Sequence, residues 1–124
     1  MHVYIDDRFM SVSENKGILA LRWKKDTANL NDEDFKNEAL KFIGVVKKIK
    51  SKWIMVNMRE FYYNLNSELI AWRNKYILTV YNEIGVEKFA FISKKQIVMQ
   101  EDPSNKFITR YFLTEQEAEN WFNS

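Results

Sequence analysis

The sequence predicts an α/β fold: a mixed, mostly parallel five-stranded sheet with an antiparallel N-terminal edge strand and packed helices, in the order ββαβαβ(α)βα. One observation predicts the fold class and another the number of domains. Short runs rich in Val, Ile and Phe alternate with longer segments whose apolar residues recur at helical spacing. The 124 residues, with 3 glycines and 1 proline, also contain no linker-like stretch, so we expect one domain over residues 1–124.

The N-terminal part is predicted to form a β-hairpin. Residues 3–12 and 16–24 are rich in β-branched, aromatic and leucine side chains, and the polar stretch 13–17 between them is typical of a turn. Apolar side chains alternate along the second strand, so one of its faces ends in Trp23.

The first helix is predicted from Asn31, a good N-cap, because three acidic residues follow it. Basic residues at its end complement the helix dipole. The apolar positions recur every three or four residues and form one stripe: Phe35, Ala39, Phe42, Ile43, Val46 and Ile49.

The middle of the chain predicts a buried strand over 53–58, a polar and aromatic loop over 59–65, and a second helix. Either Asn66 or Ser67 could cap this helix, and Gly85 is a natural terminator.

The C-terminal part predicts a buried strand over 88–93, a short helix over 94–100, a turn over 102–105 and a strand over 107–112. Thr114 then caps a last helix, with Glu117 completing a capping box.

This order of elements resembles the STAS domain, the fold of anti-sigma-factor antagonists, and more closely the small SpoIIAA-like (STAS/SEC14-like) stand-alone proteins of bacteria. The resemblance covers nearly the whole chain and implies a SpoIIAA-like fold. The segments that carry it, mostly packing and capping signals, are Leu21-Arg22-Trp23, Val56-Asn57-Met58-Arg59-Glu60-Phe61, Ser67-Glu68-Leu69-Ile70-Ala71-Trp72, and Thr109-Arg110-Tyr111-Phe112 with Glu117-Ala118-Glu119-Asn120-Trp121.

In STAS antagonists a regulatory serine opens the helix after the third strand, within an Asp-Ser-Ser-Gly-Leu type motif. The resemblance places Ser67 on that phosphorylated position, in the stretch Leu65-Asn66-Ser67-Glu68-Leu69. The motif's acid and glycine are replaced here by Leu65 and Glu68. The alternative role of Ser67 is an ordinary helix cap.

A ligand or partner surface is predicted beyond the carboxyl ends of the parallel strands, where open α/β sheets bind ligands. Arginine beside aromatic residues suits an anionic or lipid-like ligand. Simple core packing is the alternative for these aromatic side chains. The candidate residues are Trp23, Arg59, Tyr62, Tyr63, Trp72, Arg73 and Tyr76.

Several chemistries are not expected. The chain has no cysteine and one histidine, and it contains no phosphate-binding glycine loop. We therefore expect no catalytic residues, no metal site and no cofactor. A net charge of +2 gives no indication of nucleic acid. No apolar run approaches the ~20 residues of a membrane span, and the N-terminus lacks a signal-peptide pattern, so we expect a cytoplasmic location without integral membrane association.

Two functions of different class remain. The first is a non-catalytic STAS-like interaction or regulatory module with a protein partner that the sequence does not identify; it could act as a homodimer through the second helix, where Trp72 and Tyr76 lie four residues apart. The alternative is a binder of a small apolar or anionic (lipid-like) ligand at the carboxyl ends of the strands.

Overall fold

The structure is a computed structural model that describes residues 1–94 and 104–124. Within these residues the strands are β1 (His2–Asp6), β2 (Met10–Asn15), β3 (Ile18–Trp23), β4 (Trp53–Asn57), β5 (Lys88–Ile92) and β6 (Ile108–Phe112). The α-helices are α1 (Asp32–Ile49), α2 (Ser67–Arg73), α3 (Thr79–Ile84) and α4 (Glu115–Phe122). A 3-10 helix, Lys25–Asn29, precedes α1, and a π-helical turn, Asn74–Leu78, joins α2 to α3. The predicted helix over 94–100 and turn over 102–105 lie largely outside the described residues.

The strands form one sheet in the order β1-β2-β3-β4-β5-β6. The pairs β1–β2 and β2–β3 are antiparallel, whereas β3–β4, β4–β5 and β5–β6 are parallel. The predicted α/β class with a mixed, mostly parallel sheet is therefore confirmed. The α1 and α2–α3 connections each lead to the next strand along the sheet, so right-handed crossovers place these helices on the same face.

The predicted five-stranded sheet is wrong by one strand, because residues 3–12 divide into β1 and β2. Asp7 causes the division. Its Oδ1 accepts hydrogen bonds from the backbone amides of Phe9 and Met10, both at 3.0 Å, which folds the chain into a tight turn. Aspartate side chains stabilise turns in this way. The N-terminal region is thus a three-stranded antiparallel meander rather than one hairpin.

The helix ends follow the predicted signals. Asn31, Asn66 and Thr114 accept hydrogen bonds from the amides three residues ahead, at 2.8, 2.9 and 3.2 Å. Gly85 ends α3 with a φ of 84°, a conformation that favours glycine. None of the helices within the described ranges combines the length and the apolar character needed to cross a bilayer.

Each face of the sheet packs against its own helices. On the first face, inward residues of β2 to β5 meet α1 and α3, and on the second, β3 to β5 meet α4. The larger cluster includes Leu21, Phe42, Val46, Ile54 and Phe89. The smaller one comprises Ile18, Ala20, Met55, Ala90, Ile92, Ala118 and Phe122.

Candidate functional site

In the structure the residues of the predicted ligand surface do not form one site. The two tryptophans among them lie in the packing between α1, α2 and the sheet. Trp23 is only 7% exposed, and its ring centroid is 5.0 Å from that of Phe61. Trp72 meets Phe35 of α1 edge-on at 6.4 Å. Tyr76 extends this cluster outward, 5.7 Å from Trp72 and 48% exposed. Trp72 therefore secures α2 against α1, while Trp23 packs from β3 against Phe35 and Phe61.

The two tyrosines of the loop after β4 have partners close to them. Tyr62 is 48% exposed, and its hydroxyl donates to Glu60 at 2.6 Å. The Tyr63 hydroxyl donates to Asp32 in the first turn of α1. That contact raises the pKa of Tyr63, because a phenol that donates to a carboxylate resists losing its proton. The Tyr63 contact thus fastens the loop to α1, whereas the Tyr62 hydroxyl pairs within the loop itself.

Thr27, which the sequence did not single out, holds the backbone of the same loop from the protein interior. It is fully buried in the 3-10 helix before α1. Its hydroxyl lies 2.9 Å from the Glu60 carbonyl and accepts the Tyr62 amide at 2.9 Å. The sequence offered no signal for this role, because the burial of Thr27 is known only from the structure.

Arg59 belongs to a hydrogen-bonded network on the opposite face of the sheet. Its guanidinium donates to the Leu113 carbonyl at 2.8 Å. Asn57 donates to Glu115 at 2.7 Å, and Arg22 donates to both oxygens of that carboxylate at 2.8 and 2.9 Å. Burial alone would raise the pKa of Glu115, but the bonds from Arg22 and Asn57 outweigh it and lower the pKa. These groups satisfy one another and hold the start of α4.

Arg73 is placed differently from the other candidates. It lies at the end of α2 and lines a groove of about 400 Å³ between the α2–α3 helix and strands β5 and β6. Its guanidinium carbon is 5.4 Å from the ring centroid of Phe91. No described residue forms a hydrogen bond or an ion pair with this guanidinium. An arginine with five N–H donors therefore faces the groove without a protein acceptor.

The surroundings of Arg73 are aromatic rather than acidic. Burial lowers the pKa of Arg73, and only the phenols of Tyr81 and Tyr111 counter this. Arginine nevertheless stays charged in proteins. The groove therefore holds a positive charge that no carboxylate of the described residues neutralises.

Tyr81 on α3 is a second group with unused hydrogen-bonding capacity. The side chain is 2% exposed, and burial raises its pKa well above the ordinary value. Its hydroxyl forms no hydrogen bond with any residue in 1–94 or 104–124. Tyrosine hydroxyls in the protein interior usually have a partner, so Tyr81 is an exception among the described residues.

Helix geometry explains why Arg73 separates from Trp72. Successive helical residues point about 100° apart, so Trp72 faces α1 while Arg73 faces β5. The π-helical turn begins directly after Arg73, and such turns occur frequently at functional sites. The groove floor consists of alternate residues of two neighbouring strands, so the two-residue period was a signal for Phe89, Phe91, Thr109 and Tyr111.

Ser67 is exposed and is the first residue of α2, but Asn66 is the cap. Its neighbour Glu68 is exposed as well. The described residues contain no group of three or more potential ligands that could hold a metal ion.

Comparisons with protein-family models, with curated proteins and with solved structures found no match for this chain. The resemblance to the STAS family accordingly depends on the order of elements and the segments quoted above.

Proposed function

We propose that this protein is a non-catalytic binding module that holds a small organic anion in the groove beside Arg73. The observation that carries the proposal is the guanidinium of Arg73, which lies over Phe91 in the groove with no acceptor among the described residues. This proposal develops the second function expected from the sequence, a binder of a small ligand. It places the ligand between the α2–α3 helix and the face of the sheet.

Electrostatics supports this occupant. Removing a charged group from water is costly unless a hydrogen-bonded counter-charge compensates it. A carboxylate or phosphate would accept two parallel N–H bonds from Arg73, the strongest geometry that arginine forms. An anion in the groove therefore supplies the acceptors that the Arg73 guanidinium lacks among the described residues.

The dimensions of the groove support a small molecule. Its volume of about 400 Å³ lies within the usual range of ligand sites. Aromatic side chains form most of the floor, and Asn74 and Thr109 add a few polar groups. Ligand sites are typically apolar with a small number of orienting polar groups.

The experiment is a thermal-shift and calorimetric titration of the purified protein with acetate, hexanoate, benzoate and phenyl phosphate. Benzyl alcohol serves as the uncharged probe. We expect at least one anion to raise the melting temperature and benzyl alcohol to have a smaller effect. The substitution Arg73→Met should remove the anion effect.

Lys75→Met is the matched control, since it removes the same charge from an exposed position two residues further along the helix. It should leave the anion effect intact. If no anion in the panel binds, or if Arg73→Met binds as well as the wild type, the proposed function is wrong.

A second candidate, self-association through α2 in a STAS-like module, is favoured by one observation. Tyr76 lies 48% exposed beside Trp72, with Lys75 5.3 Å from its ring centroid. Exposed tyrosine is enriched in protein interfaces. Light scattering over a range of concentrations tests this candidate; a monomer throughout the micromolar range would exclude it.

A further inference from the structure

A second cavity lies behind Arg73, between α1 and the sheet. Its volume is about 110 Å³. Arg73 is the only charged residue among the described residues that line it. The remaining wall is almost entirely apolar and includes Leu21, Ala39, Phe42, Val56 and Phe61. This inner cavity is suited to hydrocarbon rather than to a polar group.

Arg73 stands at the boundary between the groove and the inner cavity. Arg73, Phe89 and Phe91 line both spaces. The guanidinium lies over the Phe91 ring, which belongs to this shared wall. A molecule whose anionic end pairs with Arg73 can therefore place its other end in the inner cavity.

The charge of the site favours a monoanion. No described residue lining either space carries a charge, except Arg73. One guanidinium balances one carboxylate. A phosphate monoester carries a charge close to −2 at neutral pH, so part of it would be left without compensation in a partly desolvated place.

The size of the inner cavity limits the apolar part of the ligand. A protein cavity of about 150 Å³ accommodates benzene, and this one is somewhat smaller. It therefore suits a short alkyl chain or a small ring rather than a long acyl chain.

We infer that the ligand is a monocarboxylate with a short apolar group, whose carboxylate pairs with Arg73 and whose apolar group enters the inner cavity. This inference rests on the proposed function, because it specifies the ligand of the same site. Tyr81 lines the inner cavity but not the groove, so the carboxylate is assigned to Arg73 alone.

The test is a calorimetric titration with the unbranched carboxylates from acetate to decanoate. Each methylene group that enters an apolar site should tighten binding about fourfold. We expect this gain to continue to about six carbons and then to stop, because the inner cavity is full. Hexanoate should also bind more tightly than hexyl phosphate.

Two substitutions test whether the alkyl chain of the ligand lies in the inner cavity. Ala39→Leu fills the space from α1 and should abolish the gain with chain length. Phe61→Leu enlarges the space from the loop after β4 and should move the limit to a longer chain. Because their effects are opposite in direction, loss of folding in one variant leaves the other as a test, and melting curves identify such a loss.

The outcomes separate this inference from the proposed function. Anion binding that depends on Arg73 but shows no gain with chain length supports the function and overturns the inference. A gain that Ala39→Leu and Phe61→Leu both leave unchanged also overturns it, as does tighter binding of hexyl phosphate. Absence of all anion binding overturns the function itself.

Discussion

The guanidinium carbon of Arg73 lies 5.4 Å from the ring centroid of Phe91, on the face of the sheet that α1 and α3 cover. A cation over an aromatic ring gains some attraction from the ring's quadrupole. That gain is smaller than the cost of taking a charge out of water without a counter-ion. The half-buried Arg73 guanidinium is therefore expected to cost the unliganded protein some stability.

Replacing Arg73 with Met should change the stability of the protein and its anion binding in opposite directions. We expect Arg73→Met to raise the free energy of unfolding by about 1 kcal/mol, because it removes an uncompensated charge and keeps an apolar stem of similar length. Urea denaturation of the unliganded protein measures this. Lys75→Met, with an exposed side chain, should change stability by less than about 0.5 kcal/mol. A marked loss of stability in Arg73→Met would show a structural role instead.

Tyr81→Phe removes a hydroxyl that forms no hydrogen bond with a described residue, from a side chain that is 2% exposed. Since no protein hydrogen bond is lost, we expect its free energy of unfolding to stay within about 0.5 kcal/mol of the wild type or to increase. Chemical denaturation of the wild type and the variant checks this expectation. Destabilisation by 2 kcal/mol or more would show that the hydroxyl is used within the fold.

The bidentate contact between Arg22 and Glu115 should stabilise the attachment of α4. We expect Glu115→Gln to lower the free energy of unfolding by about 1–2 kcal/mol at pH 7. Because folding lowers the pKa of Glu115, this contribution is present above the ordinary value of 4.5 and is lost as the pH falls through the folded pKa.

The measurement is urea denaturation of wild type and variant at pH 7 and pH 3, where the difference should shrink. Glu119→Gln in the same helix is the control, since its carboxylate makes no hydrogen bond with a described residue. An equal difference at both pH values would contradict the ionic role of Glu115.

Glu38 on α1 should show the opposite pH dependence. It is 4% exposed; burial raises its pKa, Lys41 opposes the rise, and Asp7 adds to it. One carboxylate oxygen has no hydrogen-bond partner among the described residues. A raised pKa means that its contribution to stability is present below the ordinary value of 4.5 and is lost as the pH rises through the folded pKa.

Glu38→Gln should therefore equal or exceed the wild type in stability at pH 8, by up to about 1 kcal/mol. The advantage should disappear near pH 4. The exposed Glu33 of the same helix is a suitable control position, because Glu33→Gln makes the same chemical change on a side chain that faces solvent. Thermal denaturation across this pH range decides the matter, and a variant weaker than wild type at pH 8 would contradict the expectation.

Tyr76→Glu tests the self-association candidate. A charge at this exposed position should leave the fold intact and weaken a dimer formed through α2, by tenfold or more in dissociation constant. Sedimentation analysis of both proteins provides the comparison. Identical sedimentation of the two would show that this face makes no contact between copies.

Much of the fold followed from local chemistry. The caps at Asn31, Asn66 and Thr114 predicted where three helices begin, because each satisfies amides that a helix leaves free. The missing strand has an equally local cause. Asp7 supplies a turn inside an otherwise strand-like run, and the apolar character of residues 3–12 concealed it.

The candidate site was only partly predictable. Arginine and aromatic residues near α2 were expected, and Arg73 is among them. The sequence could not tell which of Arg59 and Arg73 would be left without a hydrogen-bond acceptor, because the fold determines which acceptors lie near each arginine. The Leu113 carbonyl, 54 residues distant in sequence, satisfies Arg59. Pairings of this kind depend on tertiary contacts that no local pattern encodes.

The most direct test is the side-chain Nε–H resonance of Arg73 in ¹⁵N-labelled protein, assigned by its loss in Arg73→Met. We expect titration with hexanoate to shift this resonance in a saturable manner, with 1-hexanol causing no comparable shift and Lys75→Met behaving as the wild type. If the Arg73 resonance does not move while hexanoate is present in excess, or if Arg59 responds in its place, Arg73 is not the group that holds the anion.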